Sequence, residues 1–114
     1  MSILEELNTV LAPLEIPLET GVFSGPAPDM YIVIVPLVDS FELHADDYPG
    51  VDVQEARLAI YSKGSYTAVK NDVVKVLLNA GIVITSRSYI GYEPDTGYHH
   101  YNIDALNLYM MEES

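Results

Sequence analysis

The chain has 114 residues, 49% hydrophobic and 19% charged, the profile of one packed domain with no room for a second. Seventeen acidic residues against five basic ones leave a formal charge of −12, and there is no cysteine. That balance repels phosphate backbones and anionic lipid, so no direct nucleic-acid affinity is expected, while the missing thiols exclude disulfides, thiolate metal sites and a cysteine nucleophile.

In chain order, Ser2 and Glu5 form a capping box, and Ile3, Leu4, Leu7, Val10 and Leu11 are spaced for one face of a helix over residues 2–12 that ends before Pro13. Residues 13–29 carry Pro17, Gly21, Gly25, Pro26 and Pro28 and read as an irregular connection, with brief pairing at Val22-Phe23. Tyr31-Ile32-Val33-Ile34-Val35 is continuously apolar and β-branched, which predicts a strand buried on both faces, with Pro36 as its bulge or exit. The apolar run around it, Met30 to Val38, is nine residues, far short of the roughly 20 that a membrane-spanning helix needs. The early Glu5 and Glu6 replace the basic region of a secretory signal, so a cytoplasmic protein is expected.

His44 to Gly50 reads as a loop and a mobile arm, with Asp46, Asp47 and Tyr48 before the breakers Pro49 and Gly50. From Val51 to Tyr61 the pattern alternates, placing Ala56, Leu58 and Ile60 on one face and Glu55, Arg57, Ala59 and Tyr61 on a wet one. Ser65 is the expected N-cap of a helix over Tyr66–Ala80 whose face is Val69, Val73, Val76, Leu77 and Ala80, with Gly81 just past its end. Ile82–Tyr92 and Tyr98–Leu108 then form a hairpin, followed by an acidic tail over 109–114. The predicted fold is α+β: a mostly antiparallel four-stranded sheet with helices packed on it, in the order αββαββ. Its core is Val33, Leu58, Ile60, Val73, Leu77, Ile84 and Ile103.

Little in the chain suggests chemistry. His99 and His100 are adjacent, so on a strand they point to opposite faces and cannot share a metal, and His44 lies in a different loop. Asp46, Asp47 and Asp52 lack the ligand alternation and glycine of a calcium loop. Gly21 to Gly25 is interrupted by Val22 and Phe23 and is followed by no lysine, so it is no phosphate loop. The serines sit in no nucleophile elbow. The expectation is a protein with no catalytic or metal-binding residues and no cofactor.

The stretch from Tyr89 to Tyr101 (YIGYEPDTGYHHY) is different in kind. Pro94, Asp95 and Gly97 supply the chemistry of a tight turn, and the four flanking tyrosines favour strands. Tyrosine combines a large apolar ring with a polar tip, which suits a surface buried when a partner arrives; cross-strand aromatic pairs would equally brace an ordinary sheet. The residues expected at a protein interface are Tyr92, Glu93, Asp95 and Tyr98 at the hairpin tip, with Asp46, Asp47 and Tyr48 in the acidic loop.

Three segments, VQEARLAIYSKGSY (Val53 to Tyr66), TAVKNDVVKVLLNAGIVIT (Thr67 to Thr85) and RSYIGYEPDTGYHHYNID (Arg87 to Asp104), resemble small tail-assembly proteins of long-tailed phages and prophages of Gram-positive bacteria. The group is that of tail-terminator, or tail-to-head joining, proteins, and the likeness spans Val51 to Asp104. It implies an α+β subunit that assembles as a hexameric ring, capping the major tail tube protein and receiving the head-completion connector, first in the host cytoplasm and then in the virion tail. A non-enzymatic binding or regulatory module of a mobile element is the second reading. Copies at −12 each repel one another, so a monomer in isolation is expected beside the ring.

Overall fold

The computed structural model describes residues 2–21, 25–43 and 49–110, and the side chains of all these except 38–43, 49 and 50. Its elements are helix α1 (Ile3–Leu11), a 3₁₀ turn (Ala12–Leu14), β1 (Leu18–Thr20), β2 (Met30–Leu43), β3 (Pro49–Ser62), α2 (Thr67–Asn79), β4 (Val83–Glu93) and β5 (Tyr98–Met110). The strands form one sheet in the order β1-β2-β3-β5-β4. The α+β class is as expected, but the sheet is five-stranded and mixed. β1 runs parallel to β2 through the pairs Leu18–Ile32 and Thr20–Ile34, and all other neighbours are antiparallel.

The helices share one sheet face because the strand alternation leaves one apolar face to cover. Ile32 and Ile34 of β2, Ala56, Leu58 and Ile60 of β3, and Tyr101, Ile103 and Ala105 of β5 point toward Ile3, Leu7 and Leu11 of α1 and Val69, Val73 and Leu77 of α2. Leu58 stands directly between Ile34 and Ile103 across the ladder. Val33 is buried but lies on the opposite face, beside Ala59, and Ile84 is only partly buried. Ala80, expected on the buried face of α2, is its exposed C-cap.

α1 starts where its sequence says. The Ser2 hydroxyl accepts from the Glu5 N–H at 3.2 Å, and the free Ile3 N–H donates to Gln54 Oε1 at 2.8 Å, pinning the helix start to β3. Its third contact is Glu6, which accepts from the Tyr109 hydroxyl at 2.6 Å and the Asn107 amide at 2.8 Å. For α2 the cap is Tyr66 rather than Ser65, whose hydroxyl accepts weakly from Thr67 N–H at 3.4 Å. Gly81, at φ +78, ends it as expected.

Several boundaries differ from the sequence reading. The 13–29 connection is not wholly irregular, since it contains the 3₁₀ turn and β1. β2 passes straight through Pro36 by a bulge between Pro36 and Val38 and runs to Leu43, longer than Tyr31–Val35. β5 continues to Met110, paired with Val51, so the first two residues of the expected acidic tail belong to the sheet. Val22-Phe23, the loop residues 44–48 and the end of the tail, 111–114, lie outside the described residues, whereas Pro49 and Gly50 open β3.

Candidate functional site: the tyrosine hairpin and the open sheet face

The turn at the hairpin tip is built as its residues dictate. Glu93 C=O accepts from the Gly97 N–H at 2.7 Å and from the Thr96 N–H at 3.3 Å, and Gly97 takes φ +82, a conformation that disfavours side chains. The strands on either side sort their aromatics by face. Toward the helices, Tyr66 stacks on Tyr89 at 5.2 Å and on Tyr101 at 5.4 Å, while the Lys70 ammonium lies 5.3 Å from the Tyr101 ring. His99 joins this group: Tyr92 leans on it at 4.9 Å, and its Nδ1 meets the Tyr89 hydroxyl at 2.9 Å.

On the opposite, open face Tyr61 is sandwiched between Tyr31 at 4.9 Å and His100 at 4.4 Å. Tyr98 closes the cluster edge-on to Tyr31 at 5.4 Å. His100 Nε2 donates to Asn102 Oδ1 at 2.8 Å, and farther along the same face Arg57 holds Asp104 with two bonds of 2.8 and 3.1 Å. That bidentate bond, more than the neighbouring charges, raises the Arg57 pKa further above its already high value.

The cluster borders a hollow of about 430 Å³ whose floor is Val33, Val35 and Ala59 and whose walls are Tyr31, Tyr61 and Glu93. Burial, followed by Tyr61, Tyr98 and Glu93 for Tyr31 and by Glu93 for Tyr61, pushes both phenols above the ordinary tyrosine value. The expected wet face of β3 is thus partly covered: Ala59 is 6% exposed and Tyr61 half-buried.

The expected interface residues separate accordingly. Tyr92 is 53% exposed, and Glu93 and Asp95 are exposed at the tip. Tyr98 is buried at 7%, its hydroxyl donating to Pro28 C=O at 2.6 Å and its ring lying under the Lys63 ammonium, so it anchors the 25–29 connection to the sheet. Asp46, Asp47 and Tyr48 lie outside the described residues. His99 and His100 do point to opposite faces, and among the described residues no three His, Asp or Glu side chains gather as a metal site.

What the sequence reading missed is the edge. β4 closes the sheet with one side unpaired among the described residues, and it exposes Val83, Tyr89, Ile90 and Tyr92. The signal was present as apolar residues on both faces of a strand, but only sheet order tells an edge from an interior strand. Also among the described residues, no helix is long and apolar enough to cross a membrane. The sequence matches no protein-family model and no curated protein.

Proposed function

We propose that this chain is a structural subunit of a long-tailed phage or prophage tail, of the tail-terminator or tail-to-head joining kind. It forms a hexameric ring at the end of the tail tube and meets the head connector, assembling in the host cytoplasm and remaining in the virion. The observation that carries the reading is β4: an eleven-residue edge strand bearing four large exposed apolar side chains, running into the exposed acidic tip of Tyr92, Glu93 and Asp95. Such surface on a small domain supports a role in contacting another protein. The resemblance over Val51 to Asp104 names the kind of assembly. An acidic subunit also suits the wall of a DNA conduit, because like charge keeps phosphates from adhering.

The direct experiment is deletion of the gene followed by mass spectrometry of purified wild-type virions and electron microscopy of the mutant particles. The protein is expected in virions, and its loss is expected to give unjoined tails of abnormal length. Absence from virions together with normal tails after deletion overturns the proposal. The second reading, a non-enzymatic binding or regulatory module of a mobile element, draws on the hollow beside Glu93, which has the size to take a partner's side chain. Neighbouring portal, connector and tail-tube genes favour the first reading; a neighbouring repressor or defence locus favours the second.

A further inference from the structure

Glu93 brings a carboxylate to an apolar hollow. It ends β4 at the hairpin tip, and with Tyr31 and Tyr61 it walls the hollow of about 430 Å³ on the open sheet face. The floor is made by Val33, Val35 and Ala59, so the bottom suits hydrocarbon and the rim suits a polar group. That volume lies within the range of sites that take a ligand or a side chain, about 300–1,000 Å³.

The rim is short of internal partners. Among the described residues the Glu93 carboxylate accepts from the Thr96 hydroxyl at a long 3.4 Å and has no ion-pair partner. The Tyr61 hydroxyl makes no hydrogen bond among them. The Glu93 charge reaches both phenols: after burial it raises the Tyr61 pKa, and after burial, Tyr61 and Tyr98 it raises that of Tyr31. Two cations flank the cluster, and both are already matched. Arg57, across the ladder from Val35, holds Asp104 at 2.8 Å, and Lys63, over the Tyr98 ring, lies 3.9 Å from Asp29.

Apolar depth beneath a carboxylate without a cation complements a lysine or arginine side chain, whose hydrocarbon stem ends in a positive charge. The rings do not act as a cation cage. Tyr61 has one face on Tyr31 and the other on His100, so the head group has to be held by oxygen, on Glu93 and on the Tyr61 hydroxyl, and needs N–H donors. We infer that this hollow binds a lysine or arginine side chain of a partner protein, its stem on Val33, Val35 and Ala59 and its head group on Glu93. The net charge of −12 draws a basic segment from a distance, and Glu93 fixes where its side chain enters. The inference rests on the reading of this chain as a subunit that contacts another protein, and it names the chemistry of one such contact; it does not require a phage tail.

The test is two-dimensional NMR of the isotopically labelled protein, titrated with capped tripeptides that carry lysine, arginine, norleucine or trimethyllysine between two glycines. The lysine and arginine peptides are expected to shift the amides of Val33, Ala59, Tyr61 and Glu93 saturably, with norleucine and trimethyllysine about fivefold weaker or more. Glu93→Gln, at an exposed position that leaves the fold intact, should weaken the lysine peptide about fivefold. Asp72→Asn removes the same charge from α2, on the opposite side of the sheet, and should bind as the parent does. Norleucine or trimethyllysine binding as well as lysine, equal loss in the two variants, or no saturable shift at the hollow each overturns the inference. Failure of the phage deletion experiment with this binding intact would remove the tail reading and leave the cation site standing; defective tails without this binding would do the reverse.

Discussion

Leu77 is fully buried between α2 and the sheet, and its truncation to alanine is expected to cost about 2–5 kcal/mol in urea melts. The two tyrosines of the tip should behave oppositely. Tyr98→Ser removes a buried ring and the hydroxyl that holds Pro28, at about 3 kcal/mol or more, whereas Tyr92→Ser is expected to leave stability within about 0.5 kcal/mol and to show itself in assembly. If both variants melt like the parent, the cluster on the open face is not cohesive. Tyr109 sets an alkaline limit. Burial first, and then its bond to Glu6, raise its pKa well above the ordinary value of 10.0. The phenol is neutral in both states below the unfolded pKa, so its contribution is fully present there. Above about pH 10 the unfolded chain ionises first, and stability falls as pH rises toward the raised folded value. Tyr31 and Tyr61 shift in the same direction. Melts from pH 8 to 12 should therefore lose stability from about pH 10, less steeply in Tyr109→Phe.

At the scale of elements, the best-read parts were those whose cause is local. The Ser2 cap, the Gly81 stop and the Pro94-Asp95-Thr96-Gly97 turn each follow from side-chain chemistry within a few residues. Ser2→Ala should cost about 1 kcal/mol through the lost cap, and Gly97→Ala about as much through its positive φ, both measurable as shifts in denaturant midpoint. β1 was illegible because three residues between Pro17 and Gly21 have no period to detect. Its hydrogen bonds go to β2, in parallel, across an irregular connection: Ile32 N–H donates to Pro17 C=O and Gly21 N–H to Ile34 C=O. β2 passed Pro36 for a related reason, since a bulge absorbs the missing donor and only the β3 partner shows that pairing resumes.

For the whole molecule, charge acts on two ranges. Copies at −12 each repel at long range, while any contact through the exposed apolar side chains of β4 would act only at short range. Salt shortens the reach of exposed charges from about 10 Å at 0.1 M to about 3 Å at 1 M, so it removes the long-range term first. Light scattering with gel filtration is expected to show 12.6 kDa at low salt and growth as salt rises or as pH falls toward the pI near 4.2. A ring that is stable in dilute buffer and dissociates on adding salt would mean that ion pairs dominate the contact between copies. In the proposed tail assembly, the tail tube would oppose the same repulsion by holding subunits side by side.

The sequence by itself determined what depends on neighbours along the chain: both helices, the Ser2 cap and the Gly81 stop, the hairpin and its turn, the alternation that buries Ala56, Leu58 and Ile60, and the opposed faces of His99 and His100. It also fixed the charge, which sets how copies meet at a distance. Only the tertiary structure decided which strands lie at the edges. The same alternation serves an interior and an outer strand, so no period could distinguish β4 from β5 or find β1 beside β2. Sheet order likewise decided the candidate interface, burying Tyr98 against Pro28 while leaving Tyr92 exposed.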